Sequence, residues 1–288
     1  MLELIIAIVC SVAVGVLIKF ARQKQVNIAQ SIAMNYVVTT AMSYWLLTPD
    51  FKGQTIAEIV VNNPSAYLFV ALGFLLPSIF LIQAKSLEFA GIIRTDAAQR
   101  LSLFLPILAA FTLFGEQITA HKLMALVFAF IALACLLWRT QQGITHNAGK
   151  MAIISLMGVW FGYGLIDTLF KQIAKSGSAF PVTLFIGFVF AGCLMFIYLL
   201  LKRTKWNVKN VLFGLILGAL NFCNILFYIK AHQVMKDDPT LVFTGMNLGV
   251  ICLGTFIGAL VFKEKINKIN YLGVCIAIIS IMCLFYWK

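Results

Sequence analysis

The segment "IIRTDAAQRLSLFLPILAAFTLFGEQI", residues 92 to 118, joins two unlike parts. From Leu101 onward it is as apolar as a membrane span, yet its head carries Arg94, Asp96, Gln99 and Arg100. Two readings compete. In the first the helix begins late, with Asp96 as N-cap, Gln99 at N3 and residues 97–114 crossing the bilayer. Those residues rise about 27 Å, just enough to cross, and only Arg100 is left inside, where it snorkels to the interface. In the second the helix begins near Gly91. Arg94 then lies one turn in and Arg100 about 13 Å along, close to the bilayer midplane. Charges at that depth are expensive and face a cavity or a partner.

The rest of the chain sets the context. It has 288 residues, 62% hydrophobic and 11% charged, with a mean hydropathy of +0.98. Soluble domains average about 45–50% apolar and about 25% charged residues. A soluble core does not absorb such an excess. Apolar runs long enough to span recur throughout, at approximately 2–18, 28–48, 65–84, 91–114, 119–138, 151–170, 179–201, 210–229, 239–262 and 267–287. Backbone in lipid must satisfy its own hydrogen bonds, so each run is expected to be a helix. The runs are continuous, unlike the short alternating segments of a β-barrel. The expected fold class is therefore an all-α polytopic membrane protein with ten transmembrane helices. Leu4 to Ile18 reads as a retained first helix, because no basic n-region or small-residue cleavage site accompanies it. Pro64 with Ser65, Asp238 with Pro239, Thr119 and Asn267 are helix-start signals.

The formal net charge of +12 sits in short loops. Loops one, five, seven and nine, among them "KFARQKQ", "KRTKWNVK" and "KEKINK", are markedly basic. The positive-inside rule places these odd loops in the cytoplasm and both termini outside. No basic stretch interleaved with aromatics remains for nucleic acid. The seven cysteines all lie in apolar runs without a C-x-x-C pair, and the three histidines (His121, His146, His232) are far apart, so no metal or disulfide framework is expected. No nucleophile–base constellation or nucleotide loop points to an enzyme, a bound cofactor or ATP-driven transport.

An offset of 148 residues aligns the chain with itself. "LFGEQI" (113–118) falls on "VFKEKI" (261–266), and Ala129, Ile131 and Leu136 fall on Ala277, Ile279 and Leu284. The expected organisation is two five-helix repeats, 1–140 and 151–288. Five is odd, so the second enters the bilayer from the opposite side, which gives an inverted repeat with a central cavity. The offset also sets Pro239 on Gly91, which favours the early start of span four.

Ten helices in two fives, with the Phe/Gly-x-Glu junctions around Glu116 and Glu264, resemble the drug/metabolite transporter superfamily, and within it the EamA-like family. The resemblance covers nearly the whole chain. It implies a ten-helix basket in a bacterial inner membrane, with spans five and ten peripheral, the others around a central cavity, and a small-molecule substrate. Two departures stand out. The essential first-span carboxylate of related four-helix exporters has no counterpart except Glu3, at the span's edge. The family usually keeps both termini in the cytoplasm, against the loop charges here.

The candidate substrate-binding residues are Arg94, Asp96, Gln99, Arg100, Asn35, Trp160, Tyr163, Asn221, Asn224, Thr244 and Asn247. Asp96 and Arg100 share one helical face in the favourable acid-before-base order, with Arg94 roughly opposite Asp96. Their net positive charge favours an anionic or zwitterionic ligand, such as an amino acid, held by a guanidinium fork. Proton coupling is expected to run through Asp96, which would release Arg100 on protonation. Trp160 lies too deep for an aromatic belt and reads as cavity wall. Asp167 and Lys171 read as an interfacial ion pair, and Glu116 and Glu264 as interfacial structural residues. The rival expectations are an exporter of hydrophobic or cationic drugs and a structural membrane protein without transport. The sequence does not set the oligomeric state.

Overall fold

A computed structural model describes residues 1–62, 66–137, 149–176, 179–262 and 267–286. The described residues form twelve helices and no strand. They are α1 (Leu2–Gln23), α2 (Ile28–Leu47), α3 (Ile56–Asn62), α4 (Ala66–Phe89), α5 (Ile92–Leu101), α6 (Phe104–Thr112) and α7 (Ala120–Leu137), then α8 (Lys150–Lys175), α9 (Phe180–Leu201), α10 (Val208–Val234), α11 (Pro239–Phe262) and α12 (Lys268–Tyr286). Six of them, α1, α4, α8, α9, α10 and α11, are long and apolar enough to cross a membrane, and α7 and α12 are shorter apolar helices. Large apolar side chains cover the outside, Leu200 and Leu260 among them, as a lipid-facing surface requires.

Several helix starts follow from local chemistry. Pro239 opens α11 with its φ already helical, and the Asp238 carbonyl accepts from the Leu241 and Val242 amides. Asn267 caps α12, its Oδ1 accepting from Asn270 N at 2.8 Å, and Thr119 Oγ1 accepts from Lys122 N at 3.3 Å ahead of α7. The Pro64–Ser65 pair, His146 and Glu264 lie outside the described residues. The short α3 interrupts what reads as a plain loop. A capping box explains it: Glu58 Oε2 accepts from Thr55 N at 2.7 Å and Thr55 Oγ1 accepts from Glu58 N at 3.3 Å.

Small residues set the closest packing. A β-carbon at Gly214 or Gly218 would stand 2.6 Å from the Ser31 carbonyl or 2.8 Å from the Asn35 carbonyl, so α10 lies directly on α2. Hydrogen bonds reinforce that contact from Ser31 Oγ to the Asn210 carbonyl (3.0 Å) and from Asn221 Nδ2 to Asn35 Oδ1 (3.1 Å). The other main pairings are α1 with α10 and α11, α4 with α8 and α9, α2 with α9, and α7 with α12. In the last, Ser280 Oγ donates to the Ala125 carbonyl at 2.7 Å, and Asn270 Nδ2 donates to the Cys135 carbonyl at 3.0 Å.

Span four differs from the expected single helix. It starts at Ile92 behind Gly91, whose φ of 81° suits glycine, so the late start at Asp96 is overturned. It then breaks at Ser102–Leu103 into α5 and α6. Pro106 is the cause, because it brings no N–H to the Ser102 carbonyl four residues earlier. Leu105 N turns to that carbonyl instead, at 3.0 Å, and Leu103 N bonds the Arg100 carbonyl at 3.2 Å.

Candidate functional site

The break builds one wall of a cavity. With Leu105 N diverted, the Leu101 carbonyl accepts the Trp160 indole N–H at 3.1 Å. Trp160, expected as cavity wall, therefore holds α8 to the broken segment. Gly164 sits one turn further along α8. A β-carbon there would stand 2.6 Å from Leu105 Cδ1 and 2.9 Å from the Ser102 carbonyl. Only glycine lets α8 approach the break this closely. The result fixes the last turn of α5, and with it Gln99 and Arg100, deep in the molecule. The C-terminal end of a helix favours a cation, which suits Arg100 in that turn.

The cavity measures about 130 Å³, smaller than the clefts of about 300–1,000 Å³ that take drug-sized ligands. Gln99 and Arg100 enter from α5, Tyr163 and Asp167 from α8, Asn221, Asn224 and Tyr228 from α10, and Asn247 from α11. Ser11, Leu76, Ile79, Phe80 and Met246 supply part of the remaining lining. Of the eleven sequence candidates, Gln99, Arg100, Tyr163, Asn221, Asn224 and Asn247 line this cavity together. Asn35 lies behind Asn221, bonded to it. Arg94, Asp96, Trp160 and Thr244 are not in the lining.

Some of these side chains are held by one another. Tyr163 Oη donates to Gln83 Oε1 at 2.8 Å, and Gln83 Nε2 donates to Gln99 Oε1 at 3.0 Å. Asn247 Nδ2 donates to the Phe243 carbonyl at 3.1 Å. Others have buried polar atoms with no hydrogen-bond partner among the described residues, Arg100 Nε and Asn224 Oδ1, while the Tyr228 hydroxyl lies against the Asp167 carboxyl group. Buried polar groups are normally satisfied, so this pair offers a cationic donor and an acceptor to whatever enters. Asp96 Oδ1 lies 3.6 Å from Arg100 Nε, an ion pair without a hydrogen bond, its side chain 43% exposed against 17% for the arginine.

Two residues escaped the sequence reading. Asp167 is not the partner of Lys171. The Lys171 ammonium donates to the Lys236 carbonyl at 2.8 Å and the His232 carbonyl at 3.5 Å, while Asp167 faces the cavity. Spacing of four residues sets a shared face, and the carbonyls of the α10–α11 connection compete for the lysine. Gln83 carried no signal beyond its polarity inside an apolar run. Among the described residues the cavity is therefore lined by one cation, Arg100, and one carboxyl group, Asp167, rather than by a net positive cluster.

Residues 150–286 match a family model described as the EamA-like transporter family. A Haemophilus influenzae protein named "Uncharacterized protein" is 57% identical over 284 residues, covering 99% of this chain and 97% of its own. A crystal structure of a further protein is similar with a TM-score of 0.72 at 12% identity, over 98% of this chain and 94% of the other, a likeness of fold alone.

Proposed function

We propose, from the premise that this multi-pass integral membrane protein belongs through its second half to the EamA-like transporter family, that it carries a small zwitterionic or anionic metabolite by alternating access. An amino acid is a ligand of the right kind. The observation that carries this reading is that Arg100 and Asp167 both line one cavity of about 130 Å³. A guanidinium fork suits a carboxylate. Asp167 and the Asn224 carbonyl oxygen suit an ammonium. A purely cationic drug would bring a second positive charge up to Arg100 in a desolvated site, and like charges placed together cost several kcal/mol.

The proposed engine is the pair of inverted five-span units, 1–140 and 151–288, with α5 and α6 together as span four and α3 outside the count. The helix pairings support it. If five spans map on five, α2 with α10 is the mate of α4 with α9, and α1 with α10 is the mate of α4 with α8. Likewise α1 with α11 answers α8 with α5 and α6. A broken helix beside the cavity also fits transporters of this kind. Asp96, beside Arg100 and partly exposed, is the proposed proton-linked switch. Normal transport by Asp96→Asn at every proton gradient would remove that role.

The test is thermal stability of the purified protein against a panel of acidic, zwitterionic and lipophilic cationic compounds. A true ligand at ~100 times its dissociation constant adds about 2.7 kcal/mol. A zwitterion is expected to stabilise the wild type and to lose that effect in Arg100→Ala and in Asp167→Asn. Stabilisation by lipophilic cations alone, retained in Arg100→Ala, would turn the reading into a drug exporter.

A further inference from the structure

At the end of the molecule where α1 and α9 finish, two basic loops are tied to each other. Gln30, in the first turn of α2, is fully buried. Its Nε2 donates to the Lys205 carbonyl at 2.6 Å, and its Oε1 accepts from Asn210 Nδ2 at 2.6 Å. Asn210 Oδ1 in turn accepts from Asn27 N at 3.2 Å. Lys209 Nζ donates to the Lys24 carbonyl at 2.6 Å, across 185 residues of chain. Buried amides thus fix the backbones of both loops against each other. They gather Lys24, Lys202, Arg203, Lys205 and Lys209, all exposed, at one place on the surface.

The two segments bring no balancing charge of their own: residues 19–30 and 198–212 contain no aspartate or glutamate. Like charges held together repel one another, and an anion among them relieves that repulsion. The positive-inside rule accounts for the number of charges, since it counts them loop by loop. It does not account for the bonds between the loops. Topology would be served equally by charges held apart, where repulsion is weaker. The surroundings say which anion fits. Leu200 and Leu201 end α9 and Val208 opens α10, so exposed aliphatic side chains flank the basic ones. The Trp206 ring stacks on Phe196 with centroids 5.9 Å apart and stays exposed on its other side. Exposed aliphatics at the ends of membrane helices lie against acyl chains, and a tryptophan there marks headgroup depth. A free anion or an acidic protein would meet the cations and gain nothing from these neighbours.

We propose that the joined loops form a binding site for an anionic phospholipid, whose phosphate sits among the five cations and whose chains lie along Leu200, Leu201 and Val208. The positive-inside rule assigns this face to the cytoplasm, where basic clusters beside membrane helices meet anionic headgroups. Neither loop lines the cavity, so the site stands whatever substrate the cavity takes.

The test takes the purified full chain in detergent micelles and counts bound lipid by native mass spectrometry. Phosphatidylglycerol and phosphatidylcholine with the same chains are offered in equal amounts. The wild type is expected to retain phosphatidylglycerol in preference. Lys202→Gln, Arg203→Gln and Lys205→Gln together are expected to weaken its binding about a hundredfold, at roughly fivefold for each cation removed beside an anionic headgroup. Lys52→Gln, Lys230→Gln and Lys236→Gln together remove as much charge at the far ends of α2 and α10 and should leave the preference intact. Lys205→Gln alone is expected to show the fivefold loss and serves if the triple variant does not insert. No preference in the wild type overturns the site, as does an unchanged preference in Lys205→Gln and the triple variant. An equal loss in the two triple variants would make the preference one of net charge and overturns it too. Displacement of the lipid by inorganic phosphate, but not by chloride at equal ionic strength, would make the patch a free-anion site and overturn the lipid.

Discussion

Residues 91–114 and 239–262 are mates at the 148-residue offset, yet one segment is two short helices and the other is a single helix of 24 residues. The difference comes down to one pair of positions. Pro106 stands where α11 has Gly254. Proline removes a backbone donor and breaks its helix, whereas glycine keeps the N–H and lets the helix run on. The broken segment then gains what the continuous one lacks: a diverted carbonyl for Trp160, an intimate contact with Gly164, and an arginine held at a helix end inside the protein. The two segments thus divide the work, α5 and α6 presenting charge to the cavity and α11 presenting Asn247 from a continuous, capped rod.

That contrast can be broken from either side. Gly254→Pro should cost α11 about 3 kcal/mol, the usual penalty of proline inside a helix, read as a fall in unfolding free energy of the purified protein. Trp160→Phe leaves the Leu101 carbonyl without its indole donor in a buried setting. The expected loss is about 1–3 kcal/mol, checked by thermal melting beside a control such as Phe161→Leu on the exposed face of α8. Pro106→Ala should change global stability by less than about 1 kcal/mol. Its effect is local: hydrogen exchange at residues 102–106 slows as α5 and α6 join, and the stabilisation by ligand shrinks. Unchanged exchange in that variant would mean that packing against Gly164, not the missing N–H, holds the break open.

Much of this was legible in the residues. Asp238–Pro239, Thr119 and Asn267 announced helix starts through chemistry that acts within one turn. The early start of span four followed from comparing Gly91 with Pro239. The break itself had a local signal, Pro106 four residues beyond Ser102, and so did α3, in the Thr55–Glu58 capping box. Both signals are masked by their surroundings, the proline by an apolar run long enough for one helix and the capping box by a polar stretch typical of a loop. The tertiary choices were of another kind. Whether Lys171 takes Asp167 or the carbonyls near residue 236 depends on where α10 ends in space, which spacing on α8 does not encode. The same holds for Glu116, whose Oε2 accepts from Thr240 Oγ1 at 2.7 Å.

The contact between α2 and α10 also has a history in time. α2 has 20 residues but is not among the helices apolar enough to cross alone. Ser31, Asn35, Thr39 and Ser43, each four apart, run down its buried side. Ser31 and Asn35 find their partners at Asn210 and Asn221, 179 and 186 residues downstream. At a synthesis rate of about 5–20 residues per second, those partners emerge roughly 10–40 seconds after α2 does. Through that interval a helix with a polar stripe must lodge in or beside the membrane without its complement. A nascent chain arrested before α10 would leave the stripe bare to quality-control proteases, which makes the second helix, rather than the greasier first, the point at which biogenesis of this protein is most exposed.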